Sequence, residues 1–236
     1  MKRKLTFDIL PQPDNTTCGP TCLHALYRFW GDEISLPEVI AQVPSLKGGG
    51  TLGVMLANHA LNREYRATIY TYNLLVFDPT WFRPGVDIQR KLTQRRQATG
   101  NYKQKKAIDA YLYFLGSGGT IAFEDLSRGL LRRFLKSGRP ILTGLNSTFL
   151  YRASRCNQET MRDDDIAGEV DGHFVVLSGY DREKKTVHIS DPYSENPFAA
   201  RAYDVPIDRV IGAMLLGVIT YDANFLIIEP RSKRKT

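Results

Sequence analysis

Gln12-Pro13-Asp14-Asn15-Thr16-Thr17-Cys18-Gly19-Pro20-Thr21-Cys22-Leu23 is the stretch on which the reading of this chain turns, because within it an extended lead becomes a helix at a cysteine. Pro11 and Pro13 fix φ and remove backbone donors, so Phe7 to Pro13 runs as strand or loop. Beyond Cys18 the apolar set Leu23, Leu26, Tyr27 and Trp30 recurs every three to four positions, which predicts a helix with one buried face that ends at Gly31. Pro20 suits the first turn, where its missing N–H costs nothing. A cysteine there meets unpaired N–H groups and the positive end of the helix dipole, surroundings that favour a thiolate. Taken alone, Cys18 reads rather as a small buried hydrophobe, the usual fate of an intracellular cysteine.

Its company decides between these readings. A thiol nucleophile needs a histidine to take its proton, an acid to hold that imidazole, and donors for the oxyanion of the tetrahedral intermediate. In Asp171-Gly172-His173-Phe174-Val175-Val176-Leu177 a histidine opens an apolar strand. In Val187-His188-Ile189-Ser190-Asp191-Pro192 an acid ends the next, and antiparallel pairing about the turn Asp181 to Lys185 returns Asp191 beside His173. Gln12 lies close enough before Cys18 for its amide to fold over the thiol and point, with the Cys18 backbone N–H, at an oxyanion.

These three stretches together, the Gln12 to Leu23 run, Gly172 to Tyr180 and Ser190-Asp191-Pro192, resemble the bacteriocin-processing, double-glycine-leader peptidases and their stand-alone relatives, members of the papain-like superfamily. The resemblance implies an α+β papain-like fold, with N-terminal helices packed on a C-terminal antiparallel sheet. It implies hydrolysis of a peptide or protein substrate through a thioester, without metal or cofactor. Carried over by position, Cys18 is the nucleophile, His173 the base, Asp191 the orienting acid and Gln12 the oxyanion donor. The transporter-linked members cut after paired glycines and are fused to membrane and ATPase regions, neither of which is in this sequence. A transferase or amidase of the same chemistry and a silent peptide-binding module are the alternatives.

Outward from the motifs, a single domain spanning 1–236 is expected, with insertions at 78–106 and 146–171. Helices are expected over Leu36 to Val43, Leu52 to Arg63, Phe123 to Ser137 and Ile207 to about Leu216, with further helical pieces near Gln89 to Arg96. Strands are expected over Ala67 to Tyr72, Pro140 to Leu145, His173 to Tyr180, Thr186 to Ser190 and Asn224 to Glu229. The 146–171 run has no clear period and reads as a long functional loop.

Composition narrows the function classes. The formal charge of +7 comes from 32 basic against 25 acidic residues. Lys2, Arg3, Lys4, Arg231, Lys233, Arg234 and Lys235 account for the excess, so the ends read as solvated basic tails around a balanced body and no nucleic-acid partner is expected. No run approaches the roughly 18 apolar residues of a membrane span, and three cysteines do not make a secreted disulfide framework, so a cytoplasmic protein with reduced thiols is expected.

Other features read as structural. Cys22 faces the core beside Leu26, and Cys18, Cys22 and His24 lack the second ligand pair of a zinc site. His24, His59 and His188 read as packing or surface residues. Gly48-Gly49-Gly50-Thr51 and Gly116-Ser117-Gly118-Gly119 lack the ending of a phosphate loop, although in the related family a loop like the first lines the cleft, which makes Gly49 a cleft candidate. Asp163-Asp164-Asp165 reads as a solvated loop, and the basic residues of 83–106 as a charged helix face.

Overall fold

The computed structural model describes residues 2–220 and 222–231. In chain order it contains β1 (Lys2–Lys4), α1 (Cys18–Phe29), α2 (Leu36–Gln42), α3 (Gly53–Asn62), β2 (Tyr65–Thr71), α4 (Ile88–Ala98), α5 (Tyr102–Gly116), β3 (Thr120–Ala122) and α6 (Arg128–Lys136). The second half adds β4 (Ile141–Asn146), α7 (Ser147–Tyr151), β5 (Cys156–Asn157), β6 (Arg162–Asp163), β7 (Gly172–Asp181), β8 (Thr186–Ser190), β9 (Ala202–Pro206), α8 (Ile207–Leu216) and β10 (Asn224–Pro230). No helix among the described residues is long and apolar enough to cross a membrane.

The α+β class holds, and the sheet is larger than the C-terminal one expected. Its order is β3-β2-β10-β4-β7-β8-β9, so β2 from the first half is an integral strand, and β3 joins it in parallel while the other pairs are antiparallel. Alternation along the strands buries both faces. Phe174, Val176, Leu142, Leu226 and Ile228 pack with α1, α3 and α5, whereas Val175, Leu177, Phe225 and Ile227 pack with α6 and α8. The helices therefore cover both sides of the sheet.

Several local expectations change. Lys2, Arg3 and Lys4 form a strand that takes up the side of β7 left free where β4 ends, with Lys2 opposite Asp181, and the Arg3 guanidinium donates to the Lys136 carbonyl. Lys233, Arg234 and Lys235 lie outside the described residues. The helix expected from Phe123 begins only at Arg128, because the Ser127 hydroxyl accepts from the Leu130 N–H and so caps the helix there. Residues 78–106 hold α4 and the start of α5, whose face Ala107, Ile108, Tyr111 and Phe114 is buried. Residues 146–171 contain α7 and the β5–β6 hairpin, so this run is ordered rather than a bare loop.

Candidate active site

Cys18 is the first residue of α1, and Cys22, one turn on, is fully buried with its Sγ 3.3 Å from the Phe174 carbonyl oxygen. The lead to Cys18 is a tight polar turn: the Asp14 carboxylate accepts from both the N–H and the hydroxyl of Thr16, and the Thr17 hydroxyl donates to the Asp14 carbonyl. Those bonds hold the Asp14 carboxyl below its ordinary range. They also fix where the helix begins.

Small residues let neighbouring segments close on this turn. A Cβ on Gly19 would stand 2.7 Å from Thr51 Cγ2 and 3.2 Å from Phe174 Cδ2, so α1 approaches β7 and the start of α3 only as glycine. Gly49, at φ +92°, lies against Thr16, where a Cβ would come within 2.6 Å of Cγ2. The glycine loop is thus packed on the turn that carries Cys18, the neighbourhood expected of a cleft residue.

His173 opens β7, and Asp191 follows β8, whose last residue Ser190 pairs with Val176. The pairing brings imidazole and carboxylate together, with His173 Nε2 2.8 Å from Asp191 Oδ1. That bond leaves Nδ1 as the second ring nitrogen. Burial by itself would lower the His173 pKa, but the charge and hydrogen bond of Asp191, with a smaller contribution from a hydrogen bond and charge at Cys18, outweigh it and push the imidazolium up to about 10. The carboxylate bonds the imidazole directly, and Cys18 lies near enough to add to its hold on the proton.

Asp191 is completely buried, yet each of its oxygens is satisfied twice. Oδ1 accepts from His173 and from the Tyr193 N–H at 2.9 Å; Oδ2 accepts from the hydroxyls of Tyr151 at 2.7 Å and Tyr203 at 2.5 Å. Burial raises its pKa, and the His173 charge with these donors more than reverses this, so the carboxyl is held below its usual value. Burial and the Asp191 charge push both tyrosine hydroxyls well above their ordinary pKa, which keeps them as donors.

Gln12 is half-buried. Its backbone N–H donates to the Pro192 carbonyl at 2.9 Å, which ties the lead to the turn that follows Asp191. Its side-chain NH₂ donates to the Asp14 carbonyl at 2.9 Å, leaving a second N–H on the same nitrogen. The four residues singled out in the sequence therefore occupy one neighbourhood.

Tyr151 and Tyr203 were not singled out. Tyr151 lies in the run without a clear period. Tyr203 sits on β9, whose alternation of Tyr203 and Val205 with polar neighbours was a usable strand signal. The remaining histidines are engaged elsewhere: His59 bonds Tyr27 and Gln42, His188 bonds Asp204, and His24 is buried within α1. No group of His, Cys, Asp and Glu suited to a metal ion occurs among the described residues.

Comparison with known proteins places this geometry in context. The model of the Peptidase C39-like family matches residues 4–208. No curated protein matches the chain significantly. The crystal structure of a protein described as a C39-like peptidase from Bacillus anthracis superposes with a TM-score of 0.54 at 15% identity, covering 99% of this chain and 100% of that one. Xylellain, a cysteine protease from Xylella fastidiosa, gives 0.48 at 15% identity, over 98% of this chain and 86% of its own. A double-glycine-motif protease from an AMS/PCAT transporter, solved with a leader peptide, gives 0.47 at 13% identity, over 98% and 99%.

Proposed function

The chain belongs to the Peptidase C39-like family, and from that premise we propose that it is a cysteine peptidase in which Cys18 attacks a peptide carbonyl. The thiol proton rests on His173 Nδ1 before the attack, because Asp191 keeps the imidazole protonated up to about pH 10; the sulfur anion then bonds to the carbonyl carbon, and the carbonyl oxygen becomes the oxyanion. The Cys18 backbone N–H and the free N–H of Gln12 are the donors for that oxygen. Collapse expels the amine, which takes its proton from His173, and water attacking the thioester through the same base releases the acid. Asp191 holds the imidazole by Nε2 throughout.

One observation carries this reading: a buried carboxylate with a full set of donors grips one nitrogen of an imidazole that lies near the cysteine at a helix start. A structural histidine has no need of that arrangement. The substrate is a peptide, and the thiol chemistry calls for a reducing compartment such as the cytoplasm.

Iodoacetamide at neutral pH tests the thiol. Cys18 is expected to be alkylated well ahead of Cys156, and Cys18→Ala to abolish cleavage of casein-derived peptides while leaving the fold intact by circular dichroism. Equal labelling of the two thiols, or cleavage surviving in Cys18→Ala, would sink the proposal. Mass spectrometry of products with and without added hydroxylamine distinguishes hydrolysis from acyl transfer.

A further inference from the structure

Away from the glycine loop, α7, residues 152–170 and α8 enclose a groove of about 720 Å³. Ligand pockets typically run from roughly 300 to 1,000 Å³. Phe149, Leu216 and Ile219 supply apolar wall, with Phe149 and Ile219 about half exposed. Arg152, Arg155 and Arg209 stand among them. A mixed apolar and cationic lining of this kind is complementary to an apolar anion.

The pairing of the arginines sharpens the point. Arg28, Arg63, Arg96, Arg128, Arg133 and Arg139 each face a carboxylate. Of the groove arginines, Arg155 stands near Asp164, whose carboxyl is held below the ordinary range by backbone hydrogen bonds, helped by the Arg155 charge. Arg155 also donates to the backbone carbonyls of Asp165 and Ile166, whereas among the described residues the Arg152 side chain makes no hydrogen bond or ion pair and Arg209 Nε is buried without a partner. Asp208, the carboxylate on the groove's lining, is taken by Arg128. A buried N–H of a cation left unsatisfied is costly, and an incoming carboxylate would satisfy it with a charge-assisted bond.

We propose that this groove binds an acidic, apolar segment of the peptide substrate at a distance from the cleaved bond, an inference that rests on the peptidase reading above. The groove adjoins the end of the sheet where His173 stands. Asn146 pairs with Gly172, the Ser147 N–H and hydroxyl both donate to the Asp171 carbonyl, and the Asp171 N–H donates to Thr148 Oγ1. Thr220, next to Ile219, lies so near Gly172 that a Cβ there would meet its Oγ1 at 2.8 Å. A peptide held in the groove therefore runs past the first residues of β7. An anionic membrane is the lesser fit, because its surface is met by protruding apolar side chains and these line a recess.

The test uses full-length Cys18→Ala protein and a fluorescein-labelled Glu-Leu-Phe-Glu-Leu-Phe peptide, with its Gln and Lys counterparts, read by fluorescence anisotropy. The Glu peptide is expected to bind about tenfold or more tightly than the Gln peptide, and Arg152→Gln and Arg209→Gln each to weaken it by about tenfold. Arg152 is exposed at the end of α7, so its substitution leaves the core untouched. Equal binding of the three peptides, or unchanged binding by both variants, overturns the proposal; so does arginine-dependent binding to phosphatidylserine vesicles without binding of the Glu peptide. Arginine-dependent peptide binding in a wild-type protein that cleaves nothing leaves the groove standing and removes only the peptidase. Cys18-dependent cleavage indifferent to the Glu residues and to both arginines removes only the groove.

Discussion

At the scale of single residues, the proposed chemistry depends on one proton on one imidazole, and Asp191 controls it. A carboxylate buried without donors would protonate; this one accepts four hydrogen bonds and stays ionised beside His173. In Asp191→Asn the anion that holds the His173 proton is gone, so the alkaline limb of kcat/KM is expected to move from near pH 10 toward the ordinary histidine value. An unmoved limb in a folded variant would detach Asp191 from catalysis. Tyr203→Phe and Tyr151→Phe each remove one donor that lowers the Asp191 pKa, and the acid limb is expected to shift upward, with activity reduced by about tenfold at most. The sequence exposes Cys18, His173, Asp191 and Gln12 because each stands at the start or end of an element that its neighbours punctuate. It hides Tyr151 and Tyr203, since what makes them matter is contact with an acid 40 and 12 positions away.

At the scale of elements, the N-terminus of α1 is set by how closely three segments meet at Gly19. The Thr51 side chain cannot swing away freely, because its hydroxyl donates to the Pro44 carbonyl at 2.9 Å. Gly19→Ala is therefore expected to destabilise the fold by about 1–3 kcal/mol through overpacking. Activity is expected to fall as well, because Cys18 moves with the helix. Thr51→Ser removes the methyl in question, and combining the two is expected to recover most of the loss in urea unfolding. Additive effects in the double variant would show that this contact is not the constraint. Elements with caps or steady period, such as α1, α2 and α8, are legible in the sequence; Ser35, whose side chain bonds Glu38 in a capping box, marks the start of α2. The face of α5 is also periodic, but it starts inside a basic run that reads as an insertion, and composition masked the period. The edge strand β9 does alternate, with Tyr203 and Val205 buried between exposed neighbours, but the pattern spans five residues and is easily passed over.

At the scale of the whole molecule, the α+β class follows from the order of elements, but the sheet that joins the two halves does not, because pairings such as β2 with β10 connect residues far apart in sequence. Asp222 sits at that junction. Its carboxylate accepts from the Gly53 N–H that begins α3 at 2.9 Å and from the Asn224 side chain that begins β10 at 3.3 Å. On the β4 side it occupies the space a Cβ on Gly144 would fill. Burial pushes its pKa up to about 7, against smaller opposing effects of these donors and Lys103. An acid whose folded pKa is raised binds protons more tightly in the folded state, so stability falls as pH rises from about 4 to about 7 and is flat above. At roughly 1.4 kcal/mol per pH unit, ionised Asp222 costs the fold a few kcal/mol by neutral pH. Asp222→Asn keeps an oxygen for the Gly53 N–H and cannot ionise, so its stability relative to wild type is expected to climb across that window and level off beyond it. Urea unfolding of both proteins from pH 4 to pH 8 measures the difference directly. A constant difference would mean that the Asp222 carboxyl does not titrate in this range in the folded protein, and that the junction of α3, β4 and β10 is held together without it.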